Sequence, residues 1–236
     1  MSFDGLGTRM KKYESITKQF LIPKMYNIIR LDGKAFHTFT RGLERPFCDK
    51  LKNTFEQSLL TTHKELHGSI LGYHQSDEIS ILFTDIGKNE TQLVFDGNIQ
   101  KIISTTCSCL TAEFISNYYK NFGQLRIANF DARVFQLPNE SEVINYFRWR
   151  QQDAIRNSVS SQAQSMYSHK ELHTKCQKVQ LNMILENGLN WNDLDYWKKR
   201  GSFSYKNEII DLDLRGEIGW NNIQNCIQNS INLRLI

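Results

Sequence analysis

Two carboxylates occur where strands of the chain are predicted to end. Asp32 follows the apolar run Tyr26–Leu31 and precedes Gly33, whose lack of a side chain lets the backbone approach a ligand closely. Asp77 lies in the polar segment Gln75–Glu78, between two further apolar runs. Carboxylate and carbonyl oxygens suit Mg²⁺ that carries a nucleoside triphosphate. Each motif alone is typical of a turn, so the prediction of catalytic, metal-binding carboxylates depends on the two lying together.

The segment after Asp32 could hold the phosphates of such a nucleotide. Its backbone amides can form a cradle for anions, with two cationic side chains nearby. The candidate residues of this loop are Lys34, Ala35, Phe36 and His37. The alternative is an ordinary surface loop with Phe36 packed inward. Arg45 adds positive charge a few residues later, although a basic helix start is more often a solvated face.

Basic residues in the second half of the chain are candidates for contact with nucleic-acid phosphates. Arginines that flank a tryptophan can hold phosphates and stack on bases, and the segment Arg148–Ser158 has this composition. A salt-bridged amphipathic helix is the alternative there. The run Lys198–Gly201, just before a predicted strand, is a weaker candidate. The individual candidates are Arg133, Arg150, Arg156, Asn157, Lys199 and Arg200.

The predicted elements place the two carboxylates on neighbouring strands. Apolar patterns predict a strand, a helix from about Pro46, a hairpin, a helix and a strand, at 26–31, 46–66, 69–83, 98–119 and 130–137. This β-α-β-β-α-β order is the ferredoxin-like split βαβ pattern of an α+β fold, which also underlies polymerase palms. Helices follow from Ser141, with a capping box at Ser168–Glu171 opening a helix that ends at Gly188. We predict a palm-like part, 1–138, and a helical part, 139–236, packed as one unit.

Composition limits the class of protein without naming a partner. The chain has 236 residues, a net charge of +4 and 40% hydrophobic residues, which excludes disorder. It contains no apolar run long enough to span a membrane, and its first residues lack the apolar core of a secretory signal. The five cysteines show no metal-binding pattern and indicate reduced thiols in a cytoplasmic protein. The six histidines are interpreted as surface residues.

Four motifs together resemble the tRNA-histidine guanylyltransferase family, the 3′–5′ nucleotide-adding polymerases. They are, in order, Arg30-Leu-Asp-Gly-Lys-Ala-Phe-His37, Gly72-Tyr-His-Gln-Ser-Asp-Glu-Ile-Ser80, Phe130-Asp-Ala-Arg133 and Tyr146-Phe-Arg-Trp-Arg-Gln-Gln-Asp153. The similarity extends from Leu6-Gly-Thr-Arg-Met-Lys-Lys-Tyr-Glu14 to Lys199-Arg-Gly201. It therefore covers nearly the whole chain.

The resemblance implies a palm-like enzyme that uses two Mg²⁺ ions, with ATP and GTP as substrates and tRNA as partner. By position, the metal ligands would be Asp32, the Gly33 carbonyl and Asp77. Residues 32–37 and the pair Ser76-Asp77 would contact the nucleotide. The 5′ end of the tRNA would first be activated, and the 3′-hydroxyl of an incoming nucleotide would then attack it. The family usually assembles as homotetramers.

One departure from the family pattern concerns the substrate. The tRNA-histidine guanylyltransferases carry a His-Ile-Asn-Asn motif where this chain has Ile155-Arg-Asn-Ser158. The chain is thus more similar to the branch that repairs 5′-truncated tRNAs by template-directed addition, after 5′-end adenylylation. Addition of G at the −1 position of tRNA-histidine is the alternative. Two other classes stay open: a palm enzyme that makes a cyclic or oligonucleotide signal, and a non-catalytic tRNA-binding protein.

Overall fold

The fold is centred on an antiparallel sheet, described here from a computed structural model. The structure describes residues 3–235, so residues 1–2 and 236 of the two predicted parts lie outside it. Within this range the strand order is β4-β1-β3-β2-β5-β6. The strands are β1 (Tyr26–Gly33), β2 (Ser69–Gln75), β3 (Glu78–Phe83), β4 (Phe130–Leu137), β5 (Ser202–Tyr205) and β6 (Glu208–Ile210). The first four confirm the predicted split βαβ order.

Helices connect and cover these strands. They are α1 (Phe3–Ser15), α2 (Phe36–Phe39), α3 (Asp49–Glu65), α4 (Ile99–Phe122), α5 (Glu140–Met166), α6 (His169–Leu172), α7 (Gln177–Glu186), α8 (Tyr196–Arg200) and α9 (Gly216–Leu233). None of the helices in residues 3–235 has the length and apolar composition of a membrane span.

Alternation along the strands gives the sheet two buried faces. Ile29 and Leu31 in β1 point to a core formed with α3 and α4, to which Phe55 and Phe114 belong. Ile28, between these positions, points to the opposite core. Successive side chains of a strand point to opposite faces, so β1 reads as a nearly continuous apolar run because both of its faces are covered.

The second face is covered by the C-terminal half of the chain. Phe147 in α5 and Ile223 in α9 pack with Ile28 and Tyr73 on this side of the sheet. The same half supplies β5, which pairs with β2, and β6, which pairs with β5. The part predicted as helical therefore also completes the sheet of the palm-like part.

Three local predictions are corrected by the structure. Helix α3 begins at Asp49 rather than near Pro46. The capping box at Ser168–Glu171 is present, but it opens only the four-residue α6, and a separate helix, α7, precedes Gly188. His63 and His74 are buried, with 7% and 4% of their surface exposed, and so are not surface histidines.

Candidate active site

Strand pairing brings the two predicted catalytic carboxylates to the same end of the sheet. Asp32, near the end of β1, lies opposite Glu78, the first residue of β3. The Gly33 amide donates a hydrogen bond to the Asp77 carbonyl oxygen, at 3.1 Å, which ties the β2–β3 turn to the end of β1. Gln75 pairs with Glu78, so the turn consists of Ser76 and Asp77. The sequence prediction that these two motifs are neighbours is confirmed.

The pKa of Asp77 responds to burial and to its charged and polar neighbours. Burial raises the pKa of Asp77, and the negative charge of Asp32 raises it further. A hydrogen bond from the Ser76 hydroxyl to Asp77 Oδ1, at 3.1 Å, lowers the pKa of Asp77 and partly offsets these effects. A cation placed between two carboxylates would stabilise the ionised form of each.

Few atoms in this region could bind a metal ion, and those that could are oxygens. Within the described part of the chain, no group of three or more His, Cys, Asp or Glu side chains is placed to hold a metal. Mg²⁺ is commonly bound by one or two carboxylates, with substrate phosphates and water completing its shell. Asp32, Asp77 and neighbouring backbone carbonyls fit an ion of this kind that arrives with a nucleotide.

The loop after Gly33 combines a buried aromatic ring with exposed neighbouring residues. Phe36 is 5% exposed, and its ring packs among other phenylalanines of the α3–α4 core. A Cβ atom on Gly33 would lie 2.2 Å from Phe36 Cδ2, so a glycine is needed for this packing. Ala35 adopts a left-handed backbone with φ of 56°, and Lys34 and His37 are exposed. The inward packing of Phe36, which belonged to the surface-loop alternative, is observed, and the Lys34 side chain stays exposed.

A cavity of about 690 Å³ opens beside these residues. The 33–37 loop and the Ser76–Asp77 turn line it at one side. Its other walls include Ser161 and Gln164 of α5, Lys198 and Lys199 of α8, and Arg45. Its volume is within the range of small-molecule sites, roughly 300–1,000 Å³.

Glu78 is a buried anchor that sequence reasoning did not assign. Arg150 donates to both of its carboxylate oxygens, at 2.7 Å each, and Arg30 Nη2 lies 2.5 Å from Oε2. Arg30 also lies 3.6 Å from Asp32. Burial raises the pKa of Glu78, and the two arginines oppose that effect. In the sequence, only the position of Glu78 directly after Asp77 indicated that this cluster could form.

The predicted phosphate contacts divide into exposed and buried groups. Arg45, Arg133, Arg156 and Asn157 are exposed. Lys199 is half-buried, and its ammonium group donates to the Asn192 carbonyl.

The other two candidates, Arg150 and Arg200, are buried. Arg150 is 5% exposed and is held by Glu78 and Asp153. Arg200 is 7% exposed, lies over the Tyr196 ring and is 3.6 Å from Asp213. Both guanidinium groups are therefore held by acidic partners within the protein.

Comparison with known proteins decides the family. The family model described as tRNAHis guanylyltransferase matches residues 7–138, more than half of the chain. The chain belongs to the tRNAHis guanylyltransferase family. Members of this family are nucleotidyltransferases, so the enzyme class expected from the sequence is confirmed.

Two solved structures of proteins similar to this chain are complexes with nucleotides. A bacterial tRNA(His) guanylyltransferase-like protein in complex with ATP is 37% identical, with a TM-score of 0.88, and the match covers 96% of this chain and 99% of that one. The structure of such a bacterial protein in complex with GTP is 34% identical, with a TM-score of 0.77 and the same coverage of both chains. The tRNA(His) guanylyltransferase of Schizosaccharomyces pombe is 31% identical over 154 residues, 64% of this chain and 56% of the relative.

Proposed function

We propose that this protein is a Mg²⁺-dependent 3′–5′ nucleotidyltransferase that repairs 5′-truncated tRNA by template-directed addition. The observation that carries the proposal is that strand pairing and the Gly33–Asp77 hydrogen bond bring Asp32 and Asp77 to one end of the sheet, where Asp77 and the 33–37 loop line a cavity. The solved relatives in complex with ATP and GTP support nucleoside triphosphates as substrates.

Each residue would have a role set by its position. Asp32, Asp77 and the Gly33 carbonyl would hold two Mg²⁺ ions, which would lower the charge on the attacking and leaving oxygens. Ser76 and the loop from Lys34 to His37 would hold the triphosphate. The 5′ phosphate of the tRNA would first be adenylylated by ATP, with release of pyrophosphate. The 3′-hydroxyl of the incoming nucleotide would then attack that phosphate, and AMP would leave as the new phosphodiester bond forms.

The segment that departs from the family pattern favours repair over addition at a fixed position. Ile155 stands where the family's guanylyltransferases have a histidine, and its side chain packs partly against the apolar cluster of α5 and α7. An aliphatic side chain there supplies no ring nitrogen for hydrogen bonding to RNA. We therefore place addition to tRNA-histidine second. Arg45, Arg133, Arg156, Asn157 and Lys199 are the proposed contacts to tRNA.

The test is extension of a tRNA that lacks its first 5′ nucleotide, with ATP, GTP and Mg²⁺. We expect the protein to restore the full-length 5′ end and to act more slowly on intact tRNA-histidine. Asp77→Asn should lower the extension rate at least about a hundredfold, because even outer partners of a metal site are worth 10- to 100-fold. Asp96→Asn, at an exposed loop aspartate, is the matched control and should extend normally.

Three results would contradict the proposal. Normal extension by Asp77→Asn would exclude the assigned carboxylate. Product formed from nucleotides alone would indicate a palm enzyme that makes a nucleotide signal, and faster addition to tRNA-histidine would indicate the guanylyltransferase alternative.

We also propose the homotetramer implied by the family, which mass photometry of the purified protein would measure directly.

A further inference from the structure

An exposed tryptophan lies beside the catalytic end of the sheet. Trp149 in α5 has 48% of its surface exposed, although its neighbours Tyr146 and Arg150 are buried. The guanidinium of Arg150 lies over the ring, 4.5 Å from its centroid. The centroid of the Tyr146 ring lies 6.0 Å from that of the Trp149 ring, and the two planes are tilted by 59°. The ring is thus held in place by its neighbours while much of its surface remains open to solvent.

The arginine that packs on Trp149 is hydrogen-bonded to the residue that follows the catalytic turn. Arg150, beneath the ring, donates two hydrogen bonds to Glu78 at 2.7 Å. Glu78 follows Asp77 in the chain and pairs with Asp32 across the sheet. One guanidinium and one carboxylate therefore separate the tryptophan from the residues proposed to bind metal.

Two exposed arginines accompany Trp149 on this side of the molecule, and one of them, Arg133, lies 3.5 Å from Asp131. Arg133 in β4 is exposed, and alternation places it on the same sheet face as Phe135, whose ring packs on Tyr146 at 5.4 Å. Arg156, two turns along α5, is also exposed and pairs with Asp153 at 2.9 Å. An exposed aromatic ring with arginines on the same side of the molecule matches a nucleic-acid end, which offers a flat base and flanking phosphates.

We propose that Trp149 is the platform on which the terminal base pair of the tRNA acceptor stem stacks. The proposal rests on the proposed function, since it requires the 5′ end of a tRNA at Asp32 and Asp77. Stacking on an aromatic ring is tolerant of sequence because every base has a π-face. A platform of this kind holds the 5′ end in place without reading its sequence, as repair of different tRNAs requires.

The test uses an acceptor-stem hairpin that carries 2-aminopurine at its first 5′ position, titrated with the purified protein. Stacking on Trp149 should quench the 2-aminopurine fluorescence. Trp149→Ala should abolish most of this quenching and weaken hairpin binding about tenfold, while Trp149→Phe should keep both in part. Tyr119→Ala, which removes an exposed aromatic ring from α4, is the matched control and should behave as the unaltered protein.

The outcomes separate this proposal from the proposed function. Unchanged quenching and affinity in Trp149→Ala would overturn the platform and leave the repair function intact. Failure of the unaltered protein to bind the hairpin would overturn both. Thermal unfolding of each variant shows whether it is folded, and Trp149→Phe keeps a ring at the site should the alanine variant be unstable.

Discussion

At the scale of single residues, two consecutive acids have different roles. Asp77 lies in the turn and lines the cavity, whereas Glu78 begins β3 and points towards α5. The separation follows from the alternation of side chains once a strand begins. Both Glu78 oxygens are occupied by arginine donors, so Glu78 serves as their counter-charge and positions the turn.

Glu78→Gln should weaken both the fold and the site. Removal of one charge leaves Arg30 and Arg150 without their buried partner, which we expect to lower the free energy of unfolding by about 3 kcal/mol. Arg30, already 3.6 Å from Asp32, would then pair with Asp32 and compete with a bound cation.

Urea unfolding and the Mg²⁺ concentration for half-maximal extension measure these two effects of Glu78→Gln. We expect the required Mg²⁺ concentration to rise. Glu90→Gln, at an exposed position, is the control and should change neither quantity. An unchanged Mg²⁺ requirement in Glu78→Gln would show that the arginine pair does not affect Asp32.

Gly33→Ala should disturb the loop of residues 33–37, which we propose binds the nucleotide. The new Cβ atom would lie 2.2 Å from the Phe36 ring, which is itself enclosed by other aromatic rings and cannot move freely. We expect ATP affinity, measured by calorimetry, to fall about tenfold, the equivalent of about 1.4 kcal/mol. Gly7→Ala has open space around the new atom and should bind ATP normally. Equal affinity in both variants would contradict the close packing of the loop.

At the scale of elements, buried histidines join α3 to the sheet. His63 Nδ1 in α3 lies 2.6 Å from the Ser204 hydroxyl in β5. His74 in β2 stacks on Phe55 with ring centroids 4.7 Å apart, and its Nε2 donates to the Ser76 carbonyl. Burial lowers the pKa of both histidines to about 4. The negative charge of Glu56 opposes this effect at His74, whereas the positive charge of Lys52 adds to it.

Mild acid should therefore loosen this packing. The pKa of each histidine is lower in the folded chain than in the unfolded chain, near 6.5, so protons bind preferentially to the unfolded chain. Stability should fall as the pH decreases from about 6.5 to 4.5, by about 1.4 kcal/mol per pH unit for each histidine. Urea unfolding across this range measures the slope.

Variants distinguish these histidines from other titrating groups. His63→Gln should reduce the slope by the contribution of one histidine, because glutamine can bond to Ser204 but takes up no proton. His169→Gln, at an exposed histidine, should leave the slope unchanged. A slope that is the same in all three proteins would show that His63 does not carry the effect.

At the scale of the whole molecule, the two halves of the chain depend on one another. The matched family segment ends at residue 138, yet β5 pairs with β2, and α5 and α9 cover one face of the sheet. Leu71 and Leu82, which are completely buried, belong to the core on that face. Without the C-terminal half, this apolar face would lie open to water.

The fragment of residues 1–138 should therefore not fold by itself. We expect it to lack a cooperative thermal transition and to be cut by protease under conditions in which the full chain resists. Circular dichroism and limited proteolysis measure this, with the full chain as control. A cooperative transition in the fragment would instead support two independent folding units.

Local patterns in the sequence determined the central strands and the position of the proposed catalytic pair. Alternation and apolar runs identified β1, the β2–β3 hairpin and β4 because these signals lie within a few consecutive residues. Asp32 and Asp77 could be assigned to neighbouring strand ends because the split βαβ order makes β1 and the hairpin adjacent.

Only the tertiary structure decided which polar residues are buried. Arg150 and Arg156 lie six positions apart on one helix, yet Arg150 is buried and Arg156 is exposed. The difference is the partner, since Glu78 lies 72 residues away in the chain and meets Arg150 only in the folded protein. His63 and Ser204 are likewise 141 residues apart. Burial of a polar group requires such a partner, and no local pattern in the sequence specifies it.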